Sequence, residues 1–80
     1  MPRFLIHHRH DPQLCGVAYA AFKGLDSALR QQPALASCAA GGHGIWWVVE
    51  QESAADALAL LPFFVAERST VIEVTDVVIP

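Results

Sequence analysis

The apolar residues of this chain recur with two periods, and the places where the period changes mark its elements. From Arg3 to His8 the side chains alternate, with Phe4, Ile6 and His8 on one face and Leu5, His7 and Arg9 on the other, which predicts a first strand. Asp11-Pro12 then reads as a helix start, because Asp is a good N-cap and Pro is tolerated at the first helical position. Leu14, Val17, Ala18, Ala21, Phe22 and Leu25 follow at spacings of three and four, one apolar stripe and hence a helix packed on a sheet. Gly24 interrupts that stripe, and Asp26-Ser27 is able to cap a second short helical piece, so one kinked helix and two helices both fit.

Pro33 ends the helical region, and Leu35 to Ala40 reads as a second strand of small residues that contains Cys38. Gly41-Gly42 supplies a turn into the most β-favouring run of the chain, Ile45 to Val49, predicting a hairpin. Both parities of that run are apolar: Ile45, Trp47 and Val49 point one way, Trp46 and Val48 the other. Ser53, with Asp56 three residues on, starts an Ala-rich helix over Ala54 to Leu61, with Leu58 and Leu61 on its apolar face. Pro62 ends it, Phe63-Phe64 plugs the connection, and Ser69 to Ile79 is the last strand, again apolar on both parities.

The order strand, helix, strand, strand, helix, strand predicts a single α+β domain over residues 1–80. It is expected to be ferredoxin-like βαββαβ, a four-stranded antiparallel sheet with two helices on one face. Such a sheet leaves its second face bare, yet these strands are apolar on both faces. Two sheets packed by their bare faces resolve the conflict, so a homodimer or higher homo-oligomer is expected.

Composition agrees: 54% of the residues are hydrophobic and 16% charged, more apolar surface than one small core hides. The net charge of −3, with its five Lys and Arg scattered singly, offers no patch for a phosphate backbone and argues against nucleic-acid binding. No apolar run approaches the ~20 residues of a membrane span, and no signal-peptide pattern opens the chain. A cytoplasmic protein is expected, with Cys15 and Cys38 as reduced, buried thiols, too far apart for a C-x-x-C site.

In the second half, Gly42-His43 opens a strand, an Ala/Leu helix follows, and Leu61-Pro62-Phe63-Phe64 leads to a last strand containing Ile72-Glu73-Val74. This half of the chain resembles the dimeric α+β barrel superfamily, most nearly its muconolactone isomerase-like proteins. The resemblance implies a homodimer whose sheets enclose small-molecule pockets. The superfamily includes isomerases, cofactor-independent oxygenases and haem-binding enzymes. No family catalytic motif maps onto this chain residue by residue.

Chemistry concentrates at the histidines. His8 and His10 share one strand face, the spacing by which a strand offers two imidazoles to a metal, with Asp11 as a third ligand if the chain bends. Asp11 is already explained as a cap and no ligand set is complete, so neither a metal nor a cofactor is expected. Acid–base chemistry points instead to His7 and His43, on strands expected to be neighbours, and to Glu73 as a buried carboxylate on the last strand. Trp46, Trp47 and Phe64 are the candidate ligand-binding walls. Cys38 lacks a base partner for nucleophilic work.

The expected function is therefore a small homodimer binding an apolar or aromatic small molecule between its sheets. The alternatives are an isomerase or cofactor-independent oxygenase using His/Glu chemistry, and a purely structural subunit with a filled interior. Whether the protein is an enzyme is left open.

Overall fold

The computed structural model describes residues 1–80. Four strands, β1 (Arg3–Arg9), β2 (Leu35–Ala36), β3 (Gly44–Glu50) and β4 (Ser69–Val74), form one antiparallel sheet in the order β2-β3-β1-β4. Three short helices accompany it: α1 (Cys15–Ala20), α2 (Ala54–Leu58) and α3 (Phe63–Ala66). Single 3₁₀ turns precede α1, at Pro12–Leu14, and follow β2, at Cys38–Ala40.

The expected ferredoxin-like arrangement with its two-helix layer, and the dimeric α+β barrel built on it, are corrected by this architecture. The helices are pieces of six, five and four residues, the second strand is two residues long, and the crossover after α1 is mostly turns. The causes are local. Gly24 takes a left-handed conformation, φ +80°, which ends the first helical run soon after Ala20. Ser27, expected to cap a second helix, instead donates to the Leu60 carbonyl at 2.7 Å and ties the turn-rich crossover to the end of α2. The second strand is cut at Ser37, where the chain bends to present Cys38. Pro62 separates the expected Ala54–Leu61 helix from the next segment, and Phe63-Phe64 begins α3 instead of an irregular connection.

The core lies on one side of the sheet. Phe4, Ile6, Ile45, Trp47 and Val49 pack against Ala57, Leu61 and Val65. Ile6 and Val65 are fully buried, each contributing about 1.5–3 kcal/mol of transfer free energy. His8 shares that face and is also fully buried, as its strand parity requires.

The other face of the sheet stays open. The register sets Val48, Leu5 and Ile72 in one row across three strands, and Trp46, His7 and Thr70 in the next. Val48 and Ile72 are more than half exposed. The last strand stops at Val74, and Val77, Val78 and Ile79 continue as exposed extended chain rather than strand. No helix is long and apolar enough to cross a membrane.

Candidate metal centre

Two short stretches that are distant in sequence, His10–Cys15 and Cys38–His43, converge at one end of the sheet. His10 follows the last residue of β1, and its N–H donates to the His43 carbonyl at 3.2 Å, extending the β1–β3 pairing by one step. The Asp11-Pro12 turn then reverses the chain, with Leu14 N–H bonded to the Asp11 carbonyl at 2.9 Å, and delivers Cys15 as the first residue of α1. Cys38 opens the 3₁₀ turn after β2.

The turn back into β3 is latched by Ser37. Its carbonyl accepts from Gly42 N–H at 2.8 Å, its hydroxyl accepts from Gly44 N–H at 2.9 Å, and its own N–H donates to the Gly44 carbonyl at 2.8 Å. Gly42 lies so close to Ser37 that a Cβ there would meet Oγ at 2.5 Å. Gly41 and His43 both have positive φ, +86° and +53°. Glycine takes that conformation freely, whereas histidine holds it at a cost of about 1 kcal/mol or more, a strain characteristic of functional positions.

The result is a cluster of His10, Cys15, Cys38 and His43 whose ligand atoms all lie within 4.8 Å of one another. His10 Nε2 is 3.2 Å from Cys15 Sγ and 3.4 Å from Cys38 Sγ, and Cys15 Sγ is 3.1 Å from His43 Nδ1. Four ligands bound to a zinc-like ion at about 2.0–2.3 Å with tetrahedral angles stand about 3.3–3.8 Å apart. The cluster thus has the composition of a Cys₂His₂ coordination tetrahedron, and three of its six edges, at 3.1–3.4 Å, are at or just below the lengths such a tetrahedron needs.

A hydrogen-bonded chain behind the cluster fixes which His10 nitrogen faces it. The Val65 carbonyl can only accept, so His8 Nδ1, 3.2 Å away, carries the hydrogen and donates. Neutral His8 then presents Nε2 as an acceptor to His10 Nδ1–H at 2.9 Å, leaving His10 Nε2 with its lone pair toward the two sulfurs. Metal-bound histidines are held in this way, through the ring nitrogen that does not ligate. His8 is therefore a positioning residue, and the same carbonyl accepts from Ser69 Oγ at 2.7 Å.

Electrostatically the cluster favours uncharged forms. Burial lowers the pKa of His8 from 6.5, outweighing the opposing hydrogen bond to Val65, and the charge on His10 adds to the effect. Burial also lowers the pKa of His10, with His43 adding to it and Asp11 opposing. The Cys15 thiol is pushed above its ordinary 9.0 by burial first and by its hydrogen bond with Cys38 second. Tyr19, whose hydroxyl donates to Cys38 Sγ at 3.4 Å, is pushed up to about 12, chiefly by that bond. Neutral imidazoles are ready donors to a metal. A cation at the centre reverses the thiol shift, because a coordinated thiol loses its proton.

The other residues singled out from the sequence fall elsewhere. His7 lies on the open sheet face, stacked on Trp46 with ring centroids 4.7 Å apart and planes 6° from parallel. Glu73 pairs with Phe4 near the far end of β1 and is exposed. His7, His43 and Glu73 are not brought together. Trp47 is core, against Phe22 at 6.0 Å, and Phe64 lies under the Arg68 guanidinium at 3.9 Å. Of the proposed strand-end set, His10 enters the cluster, His8 supports it from behind, and Asp11 begins the turn without a side-chain capping bond.

The two cysteines are the functional residues that sequence reasoning missed. The readable signal was the mirrored pair of spacings, His10-x₄-Cys15 and Cys38-x₄-His43, each within the range by which a short loop chelates a metal. Comparison with protein-family models, with curated proteins and with solved structures finds no match. The resemblance to muconolactone isomerase-like proteins gains no support from it.

Proposed function

We propose that this protein binds one zinc-like divalent ion through His10 Nε2, Cys15 Sγ, Cys38 Sγ and His43 Nδ1. The observation that carries the reading is the convergence of these four donors within 4.8 Å of one another, from two stretches distant in sequence. Two soft thiolates with two imidazoles select zinc over magnesium or calcium, which prefer oxygen. Four protein ligands close the tetrahedron, and closed sites staple structure, whereas catalytic sites keep a position open. The site would cross-link the end of β1, the start of α1, the turn after β2 and the entry to β3.

Titration of the reduced protein with Co²⁺, a visible reporter for zinc, is the test. One equivalent is expected to produce the intense thiolate charge-transfer and tetrahedral d–d bands, and Zn²⁺ is expected to displace it. A Cys15→Ser/Cys38→Ser double variant should lose both. Absence of the charge-transfer band in the wild-type protein, or bands unchanged in the double variant, would reject the site.

A second reading rests on the open sheet face. The Val48-Leu5-Ile72 row has no charged member, its two outer residues are more than half exposed, and the neighbouring His7–Trp46 stack continues it. This apolar row, bordered on the same face by Arg3 opposite Glu50, suits a second copy of the same face. A solution mass of two chains that reverts to one in Ile72→Glu supports the reading; a wild-type monomer at micromolar concentration eliminates it.

A further inference from the structure

A cavity of about 380 Å³ opens between the β2–β3 edge of the sheet and the irregular crossover. Its walls are aromatic and aliphatic, with Tyr19, Phe22, Leu29 and Trp47 among them, and its polar groups come from Arg30, Gln31 and Gln32. This volume falls in the range of small-molecule sites, which are mainly apolar with a few placed polar groups.

Three features give it a chemical preference. Phe22 and Trp47 stand 6.0 Å apart at 47° and form a rigid aromatic wall at the edge of the core. The Tyr19 hydroxyl is engaged with Cys38, so its ring, rather than its polar end, serves the cavity. Arg30 makes no ion pair: the two in this chain use Arg3 with Asp76 and Arg68 with Glu67. An unpaired guanidinium beside an aromatic wall fits a carboxylate, which it can bind with two parallel hydrogen bonds. The turn carrying Arg30 is also held in a specific shape, because the next residue, Gln31, adopts φ +64°, an uncommon conformation for a residue with a side chain.

We infer that this cavity binds a small carboxylate with a flat apolar body, the ring against Phe22 and Trp47 and the carboxylate on Arg30. The inference is independent of the metal centre, although Tyr19 borders both. Its probes are phenylacetate and the neutral phenylacetamide, followed by the indole N–H resonance of Trp47 in NMR titrations of wild-type protein and of Arg30→Gln. Arg30 is exposed, so its replacement leaves the core intact.

Phenylacetate is expected to saturate that resonance with a Kd on the order of 1 mM or tighter, as suits so small a ligand. The amide is expected to bind at least tenfold more weakly, and Arg30→Gln to erase the difference. No saturable shift, equal affinity for acid and amide, or an unchanged preference in Arg30→Gln would each overturn the inference. Repeating the titration on Cys15→Ser/Cys38→Ser separates the two sites: the carboxylate preference should persist where the cobalt bands are lost.

Discussion

At the scale of single residues, the proposed metal centre depends on a strained histidine between glycines. His43 holds φ +53° in the turn where Gly41 takes φ +86°, and that conformation sets Nδ1 3.1 Å from Cys15 Sγ. His43→Gly should relieve strain of about 1 kcal/mol while adding backbone freedom to the unfolded chain worth about 0.5–1 kcal/mol. The two effects oppose, so metal-free stability is expected to change by less than about 1 kcal/mol in denaturant melts, while zinc affinity falls at least about 100-fold. Equal losses in both measurements would make His43 a turn residue only. Gly42 behaves differently, since an added Cβ would strike Ser37 Oγ at 2.5 Å and Ser37 Cβ at 2.9 Å. Gly42→Ala should cost about 1–3 kcal/mol with or without metal, measured by the same melts. At this scale the sequence was readable in part. The Gly-Gly-His turn and the histidine cluster were conspicuous, but joining the His10–Cys15 pair to the Cys38–His43 pair needed the topology that brings the two stretches together.

At the scale of elements, strands were legible where alternation and β-branching agreed, and helices were legible at their starts rather than their lengths. β1 and β3 are registered as the apolar parities require, with Ile6 opposite Trp47 and Phe4 opposite Val49. The second helix begins where the Ser53 signal places it, Ser53 Oγ accepting from Asp56 N–H at 3.1 Å. Ser53→Ala should therefore cost about 1 kcal/mol in a denaturant melt, the ordinary value of an N-cap, and a cost near zero would mean that packing of Ala57 and Leu61 alone holds α2. The lengths failed for a physical reason. An apolar stripe states which residues face the sheet, and turns satisfy it as well as a continuous helix when something else fixes their ends. Ala21, Phe22 and Leu29 do pack on the core from the turn-rich crossover. What holds it is Cys15 at the cluster before it and Ser27, bonded to the Leu60 carbonyl, within it.

At the scale of the molecule, only twelve of the 80 residues are buried, and two of those twelve are the histidines His8 and His10. So small a core gives a modest stability margin, and a metal that joins the two stretches His10–Cys15 and Cys38–His43 would supply much of what the core lacks. The buried histidines also make stability depend on pH in a definite direction. Both have folded-state pKa values below the 6.5 of the unfolded chain, with burial as the leading cause. The groups facing them are His7, Arg68 and His10 around His8, and His8, Cys15, Cys38, His43 and Asp11 around His10. Above 6.5 the imidazoles are neutral in both states and the contribution is fully present. As pH falls through 6.5 the unfolded chain takes up protons that the folded chain resists, so stability declines until the folded pKa values are passed. Bound zinc should steepen this fall, because acid must also reprotonate two thiolates and the His10 and His43 nitrogens to release it. Denaturant midpoints measured at pH 7.5 and 5.5 are expected to drop with acid in the metal-free protein and to drop further when one equivalent of zinc is present. A metal-free midpoint that rose on acidification would show that His8 and His10 are charged within the fold, which would remove the lone pair from the donor chain running from Val65 through His8 to His10 Nε2.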